Sequence, residues 1–154
     1  MASLCSKFVA MITLEELKKI ATERLDEAET LLAAKTPKPS GAVYLAGYSV
    51  EVALKFLAVR DYFGKNFPNR ADEFNLYSGL KTHDLSKLLE LSQKEGELKT
   101  DSTAWADWQV VKTWKTENRY NPIDGITEQE ARDGVASCRR ILVKLGLLGE
   151  SEKL

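Results

Sequence analysis

The stretch GAVYLAGYSVEVALKFLAVR, residues 41–60, constrains the fold more than any other part of the chain. It is the least polar long segment, yet it carries one polar stripe with spacings of four, three and four residues: Tyr44, Tyr48, Glu51 and Lys55. These spacings place the four side chains on one side of an α-helix, while apolar side chains cover most of the rest. The pattern predicts a central helix whose polar stripe faces another part of the protein or a ligand.

A carboxylate in such a helix needs a partner, because an unpaired buried charge is too costly to keep. Lys55 is the local candidate for Glu51, but a surface Glu–Lys pair at this spacing contributes only about 0.2–0.5 kcal/mol. We therefore predict a second partner, Arg119 in ENRYNP, whose guanidinium can hold a carboxylate through two hydrogen bonds. Gly47 lowers helix propensity by about 1 kcal/mol relative to alanine, so we also predict that another backbone passes close to it.

Composition limits the classes of function. The 154 residues fit one domain, and 22 basic against 23 acidic side chains leave a net charge of −1, so no global field attracts nucleic acid or anionic lipid. Cys5 and Cys138 have no metal-ligand spacing, and a single histidine argues against zinc. The apolar run at 8–12 is too short to span a membrane. We predict a cytoplasmic protein with reduced thiols, no metal and no cofactor.

Helix signals recur along the whole chain. Thr13 with Glu16 and Thr127 with Glu130 have the spacing of capping boxes, and no segment shows sustained alternation. The predicted helices cover 13 to about 35, 40 (capped by Ser40) to about 63, 83–95 (ended by Gly96), 103–117, and 127 to about 146–149. The chain is therefore predicted to be an all-α, up-and-down helical bundle of four main helices and one short helix.

The predicted domain boundaries follow from these helices. Residues 1–12 form an N-terminal extension, 13–149 the helical domain, and 150–154 a flexible C-terminal tail. Met11 is an alternative native start, because MITLEELKK leads directly into the first helix.

Four pieces of sequence resemble, in order, the HEPN (higher eukaryotes and prokaryotes nucleotide-binding) domain: GAVYLAGYSVEVALK, THDLSKLLEL, the tryptophan-rich fourth helix and ENRYNP. The resemblance covers about residues 13–146 and points to the branch often encoded beside a minimal nucleotidyltransferase. It implies a helical bundle that forms a homodimer, with a groove for RNA or a nucleotide at the interface. The groove residues that it implies here are Tyr48, Glu51, Lys55, Arg119 and Tyr120. Many members of the family are metal-independent ribonucleases that act as toxins.

The chain departs from the catalytic members of this family at one position. These members carry a histidine that four to six intervening residues separate from the arginine that Arg119 matches, whereas Asp124, Gly125 and Ile126 stand at those positions in this sequence. Metal-independent RNA cleavage removes a proton from a 2′-hydroxyl and needs a group that titrates near neutrality, which an ordinary aspartate does not. The only histidine, His83, lies at the start of the predicted third helix, and we predict a structural role for it there. No residue is therefore assigned as catalytic.

Two functions remain open from the sequence. The preferred one is a non-catalytic HEPN-like module that binds a nucleotide, RNA or a partner nucleotidyltransferase in a toxin–antitoxin-type system. The alternative is a metal-independent endoribonuclease toxin that uses Arg119 with an unrecognised base. A homodimer is also expected, because the aromatic side chains and the apolar second helix present more bulky surface than one short bundle easily encloses. The second and fourth helices are predicted to contribute most of the dimer interface.

Overall fold

The structure is a computed structural model that describes residues 12–63, 66–67 and 78–149. These residues form six α-helices: α1 (Leu14–Ala33), α2 (Pro39–Ala58), α3 (Leu85–Ser92), α4 (Glu95–Lys99), α5 (Ser102–Val111) and α6 (Glu128–Lys144). A π-helical turn, Val59–Phe63, follows α2, and 3₁₀ helices at Ser78–Lys81 and Thr116–Tyr120 precede α3 and follow α5. The predicted all-α helical bundle is confirmed.

Helix α2 lies at the centre of the bundle, as its sequence predicts. It packs most extensively against α1 and also against α6 and α3, and most of its residues are buried. The segment Pro39–Tyr62 is long and apolar enough to cross a membrane, but 78% of its apolar window is buried inside the bundle. Burial of this kind is common for the core helix of a bundle, and the cytoplasmic location stays a prediction.

Two of the predicted helix starts, those of α1 and α6, are confirmed, and the predicted start of α2 is wrong. Both capping boxes form, with Thr13 and Thr127 as the capping residues of α1 and α6. The prediction that Ser40 caps α2 is wrong, because α2 begins one residue earlier, at Pro39. Proline suits the first helical position, since its missing N–H would have no intrahelical partner there.

Two helix ends also differ from the prediction. The third helix ends at Ser92, where Gln93 adopts a left-handed conformation with φ 57°, so Gly96 lies inside the short additional helix α4. Helix α5 ends at Val111, earlier than predicted, where the Lys112 N–H bonds to carbonyls of the last turn. This early end turns the chain back towards α2.

A short antiparallel strand pair joins Ile12–Thr13 to Asn66–Phe67, with Ile12 opposite Phe67. Residue 12 therefore belongs to the folded domain and not to the predicted extension. The predicted extension before residue 12, the alternative start at Met11 and the predicted tail at 150–154 lie outside the described residues.

A polar cluster around the buried Asp107, which the sequence did not reveal, links α5 to α6. Asp107 accepts hydrogen bonds from Arg140 Nε and Nη2, both at 2.8 Å, and from Ser137 Oγ at 2.9 Å. Burial, and then the charge of Asp107, raises the pKa of the neighbouring Cys138 thiol to about 12. Cys138 is therefore protonated near neutral pH and is unsuited to act as a nucleophile.

The structure changes the argument for a homodimer. Among the described residues, the large hydrophobic side chains that are exposed are Tyr62, Val110, Tyr120 and Ile123. Most of the apolar surface of α2 is enclosed by the bundle of the same chain, although Val43, Tyr44 and Leu45 near its start are only partly buried, so a contribution of α2 to an interface stays a prediction. Three of the four exposed side chains lie in or after α5, and the homodimer itself stays a prediction.

Candidate functional site

Glu51 is buried and holds two cationic or potentially cationic side chains. Its side chain lies in the middle of α2 and the residue is 1% exposed. One carboxylate oxygen, Oε1, lies 2.8 Å from Lys55 Nζ and 2.8 Å from His83 Nδ1. The other oxygen, Oε2, is buried without a hydrogen-bond partner among the described residues. The expectation that Glu51 has a second partner besides Lys55 is met, but that partner is His83.

The predicted ion pair between Glu51 and Arg119 is wrong. Arg119 and Tyr120 are exposed, and the Arg119 guanidinium lies over the Tyr120 ring, 4.9 Å from its centroid. Polar contacts with the side chains of Tyr120 and then Tyr44 raise the pKa of Arg119. Tyr44 precedes Glu51 by seven residues, a separation of about 10 Å along a helix axis. Arg119 therefore contacts the opposite end of the polar stripe.

Tyr48 lies beside the buried carboxylate. Burial raises the pKa of its hydroxyl, the charge of Glu51 raises it further, and Arg24 on α1 opposes the shift. The structure thus brings together three of the five predicted groove residues, namely Tyr48, Glu51 and Lys55. The other two, Arg119 and Tyr120, lie on the surface at the Tyr44 end.

Trp114 explains why α2 contains Gly47. A Cβ on Gly47 would overlap the Cγ, Cδ1 and Nε1 atoms of the Trp114 indole. The prediction of a second backbone at this position is therefore wrong, because a flat aromatic side chain occupies the space. Trp114 is 6% exposed, and its ring centroid lies 5.8 Å from that of Tyr44.

Trp114 also lines two concave sites. The larger has a volume of about 580 Å³ and lies between the first half of α2, the end of α5 and α6. Glu130 and Asp133 line it, and its described lining contains no basic side chain. The smaller, here called the His83 cavity, has a volume of about 460 Å³ and is lined by residues 83–86, 112 and 114–117. Of these two sites, the His83 cavity is the one that is lined by cationic side chains.

The charges around the His83 cavity are mixed. Lys112 and Lys115 line it together with Asp84 and Glu117. One oxygen of Asp84 already has partners within the protein. Its Oδ1 accepts hydrogen bonds from the N–H groups of Ser86 and Lys87, at 2.9 and 3.1 Å, and so caps α3. Within the part of the chain that the structure describes, no hydrogen bond or ion pair holds the side chain of Lys112 or Lys115, so both ammonium groups can bind an anionic group.

The contact with Glu51 determines which nitrogen of His83 faces outward as an acceptor. A carboxylate only accepts hydrogen bonds, so Nδ1 carries a proton, and in the neutral form of the ring the lone pair lies on Nε2. The His83 side chain is 59% exposed, and the residue lines the cavity. Such an imidazole can accept a hydrogen bond from a ligand hydroxyl or take up its proton.

Sequence reasoning missed the Glu51–His83 contact and the cavity. The available signals were that His83 is the only histidine and that it directly precedes a capped helix. Among the described residues, no group of three or more histidine, cysteine, aspartate or glutamate side chains is placed to hold a metal ion. The site is thus a carboxylate–histidine pair at the edge of a partly basic cavity.

Comparisons of the chain with protein-family models, with curated proteins and with solved structures found no match. The fold and the site together define an all-α helical bundle in which the central helix buries a carboxylate that orients an exposed histidine.

Proposed function

We propose that this chain is a HEPN-like module that binds RNA or a nucleotide in the His83 cavity. The observation that carries the proposal is the buried Glu51, which holds the exposed His83 at 2.8 Å beside a cavity lined by Lys112 and Lys115. Burying a carboxylate costs several kcal/mol before its partners offset that cost. Its position in the most apolar helix is therefore better explained by the orientation of His83 than by stability.

Charge favours this cavity over the larger cleft as the nucleic-acid site. Phosphate groups are bound mainly by lysine and arginine side chains. The larger cleft presents Glu130 and Asp133 without a basic side chain, whereas the His83 cavity sets two ammonium groups, Lys112 and Lys115, beside its own two carboxylates. Because the net charge of the chain is −1, binding depends on such a local arrangement. The resemblance adds a homodimer and a minimal nucleotidyltransferase as proposed partners.

Metal-independent RNA cleavage is a second candidate function, and one specific observation favours it. The argument against catalysis rests on the missing histidine after Arg119. His83, from another part of the chain, supplies an oriented imidazole at the cavity. An imidazole in this state can act as a general base towards a 2′-hydroxyl.

Short single-stranded RNA is expected to bind the purified protein, with an affinity that falls as salt concentration rises. Replacing both cavity lysines, Lys112→Gln with Lys115→Gln, should weaken binding by about tenfold or more and lower the salt dependence, because two phosphate contacts are lost. Fluorescence anisotropy with labelled RNA at several salt concentrations measures both effects. Lys18→Gln with Lys19→Gln on α1 is the matched control, since it removes the same charge from exposed positions outside the cavity.

Absence of RNA binding at low salt, or equal weakening by the two double variants, would contradict the proposal. The same samples, kept in a metal chelator and run on a denaturing gel, separate the two candidate functions. Intact RNA supports binding alone, whereas cleavage that is lost in His83→Ala supports the ribonuclease.

A further inference from the structure

We propose that His83 recognises a ribose 2′-hydroxyl, so that the His83 cavity selects RNA over DNA. This inference rests on the proposed RNA binding and specifies how the same site would choose its ligand. It depends on the orientation of the imidazole and on the other groups that line the cavity.

The orientation of His83 is fixed from inside the protein. Glu51 is buried on α2, and its Oε1 is also held by Lys55 Nζ at 2.8 Å, so the carboxylate has a defined position. His83 Nδ1 can keep its bond to this oxygen only while it carries a proton. In its neutral form the ring therefore offers Nε2 as an acceptor, and a ligand hydroxyl can donate a hydrogen bond to it.

The remaining cavity groups match one sugar–phosphate unit. Lys112 and Lys115 can contact a phosphate, while Asp84 and Glu117 make the cavity unsuitable for the dense negative charge of a polyphosphate. A volume of about 460 Å³ is within the size range of sites for small ligands. A hydroxyl donor beside a single phosphate is present in each RNA nucleotide, and DNA lacks that hydroxyl.

The chemistry at Nε2 also determines which substitutions on the sugar are tolerated. A 2′-hydroxyl can donate a hydrogen bond to Nε2, whereas a 2′-methoxy group cannot donate and 2′-deoxyribose has no polar group there. Both changes leave an exposed acceptor without its ligand partner but keep the phosphate contacts. The lysines therefore supply affinity for either nucleic acid, and His83 supplies the preference for RNA.

Anisotropy measurements with RNA, DNA and 2′-O-methyl RNA of one sequence test this assignment. All samples contain a chelator, and the RNA is checked for integrity on a gel after each titration. RNA is expected to bind about tenfold more tightly than the other two, the ratio that one hydrogen bond to an oriented group supplies. His83→Ala should abolish this ratio by weakening RNA binding while leaving DNA binding unchanged.

Lys115→Gln is the contrasting variant, because loss of a phosphate contact should weaken RNA and DNA binding by the same factor. Adenosine 5′-monophosphate and its 2′-deoxy form, used as competitors, show whether a mononucleotide suffices or a longer strand is needed. Circular dichroism confirms that His83→Ala, a change at an exposed side chain, remains folded.

Equal binding of RNA and DNA by the wild-type protein would overturn this inference while leaving the proposed RNA binding intact. Retention of the RNA preference in a folded His83→Ala variant would also overturn it. If neither nucleic acid binds, the proposed function and this inference both fail.

Discussion

Replacing Gly47 with alanine is expected to destabilise the protein by about 2–3 kcal/mol, because the new methyl group overlaps the Trp114 indole. Trp114 is nearly fully buried, so its rigid ring cannot move aside without disturbing the packing around α2. Trp114 also lines the His83 cavity, so the substitution should weaken ligand binding as well. Chemical denaturation followed by circular dichroism measures the loss of stability.

Gly134→Ala is the matched control for this prediction. Gly134 lies within α6, and a Cβ built on it meets no atom of the described residues within 4 Å beyond the backbone of its own helix. Alanine there should stabilise the protein by up to about 1 kcal/mol, because it favours the helix without a clash. A Gly47→Ala variant that is as stable as Gly134→Ala would show that Trp114 does not pack on α2 as described.

Glu51→Ala is expected to destabilise the protein by about 3–5 kcal/mol, because it leaves Lys55 as a buried cation without its counter-ion. Lys55 is 8% exposed and its ammonium group lies 2.8 Å from the lost carboxylate. The double variant Glu51→Leu with Lys55→Leu removes both charges and should cost clearly less than the single change. Urea denaturation of the three proteins provides the comparison.

Arg119→Ala serves as the control for the Glu51 variants. Arg119 is exposed and does not pair with Glu51, so its loss should change the free energy of unfolding by less than about 0.5 kcal/mol. A double-mutant cycle between Glu51 and Arg119 should show additive effects. A coupling well above about 0.5 kcal/mol would mean that the two side chains meet after all, as the sequence alone suggested.

Local signals in the sequence predicted the fold well. The capping boxes at Thr13 and Thr127 specify two helix starts through contacts only three residues apart. The uninterrupted apolar surface around the stripe of Tyr48, Glu51 and Lys55 made α2 the central helix. Each of these features depends on residues within one or two turns of the same helix, so it can be recognised from the local sequence pattern.

The partner of Glu51 could not be predicted in the same way. Glu51 and His83 are 32 residues apart, and their meeting depends on how α3 docks on α2. Arg119 was the reasonable candidate because arginine is always charged, but α5 ends early and places Arg119 near Tyr44. Likewise, Gly47 indicated a close neighbour without showing that the neighbour was a tryptophan side chain.

The central claim is that Glu51 orients His83 as an acceptor for an RNA hydroxyl, and nitrogen NMR of the imidazole tests it most directly. His83 is the only histidine in the chain, so its two ring nitrogens give an unambiguous signal pair. We predict that the neutral ring is protonated at Nδ1 and that the Nε2 signal shifts saturably when RNA is added, but not when DNA of the same sequence is added. A neutral ring protonated at Nε2, or an Nε2 signal that RNA leaves unchanged at saturating concentration, would contradict the account.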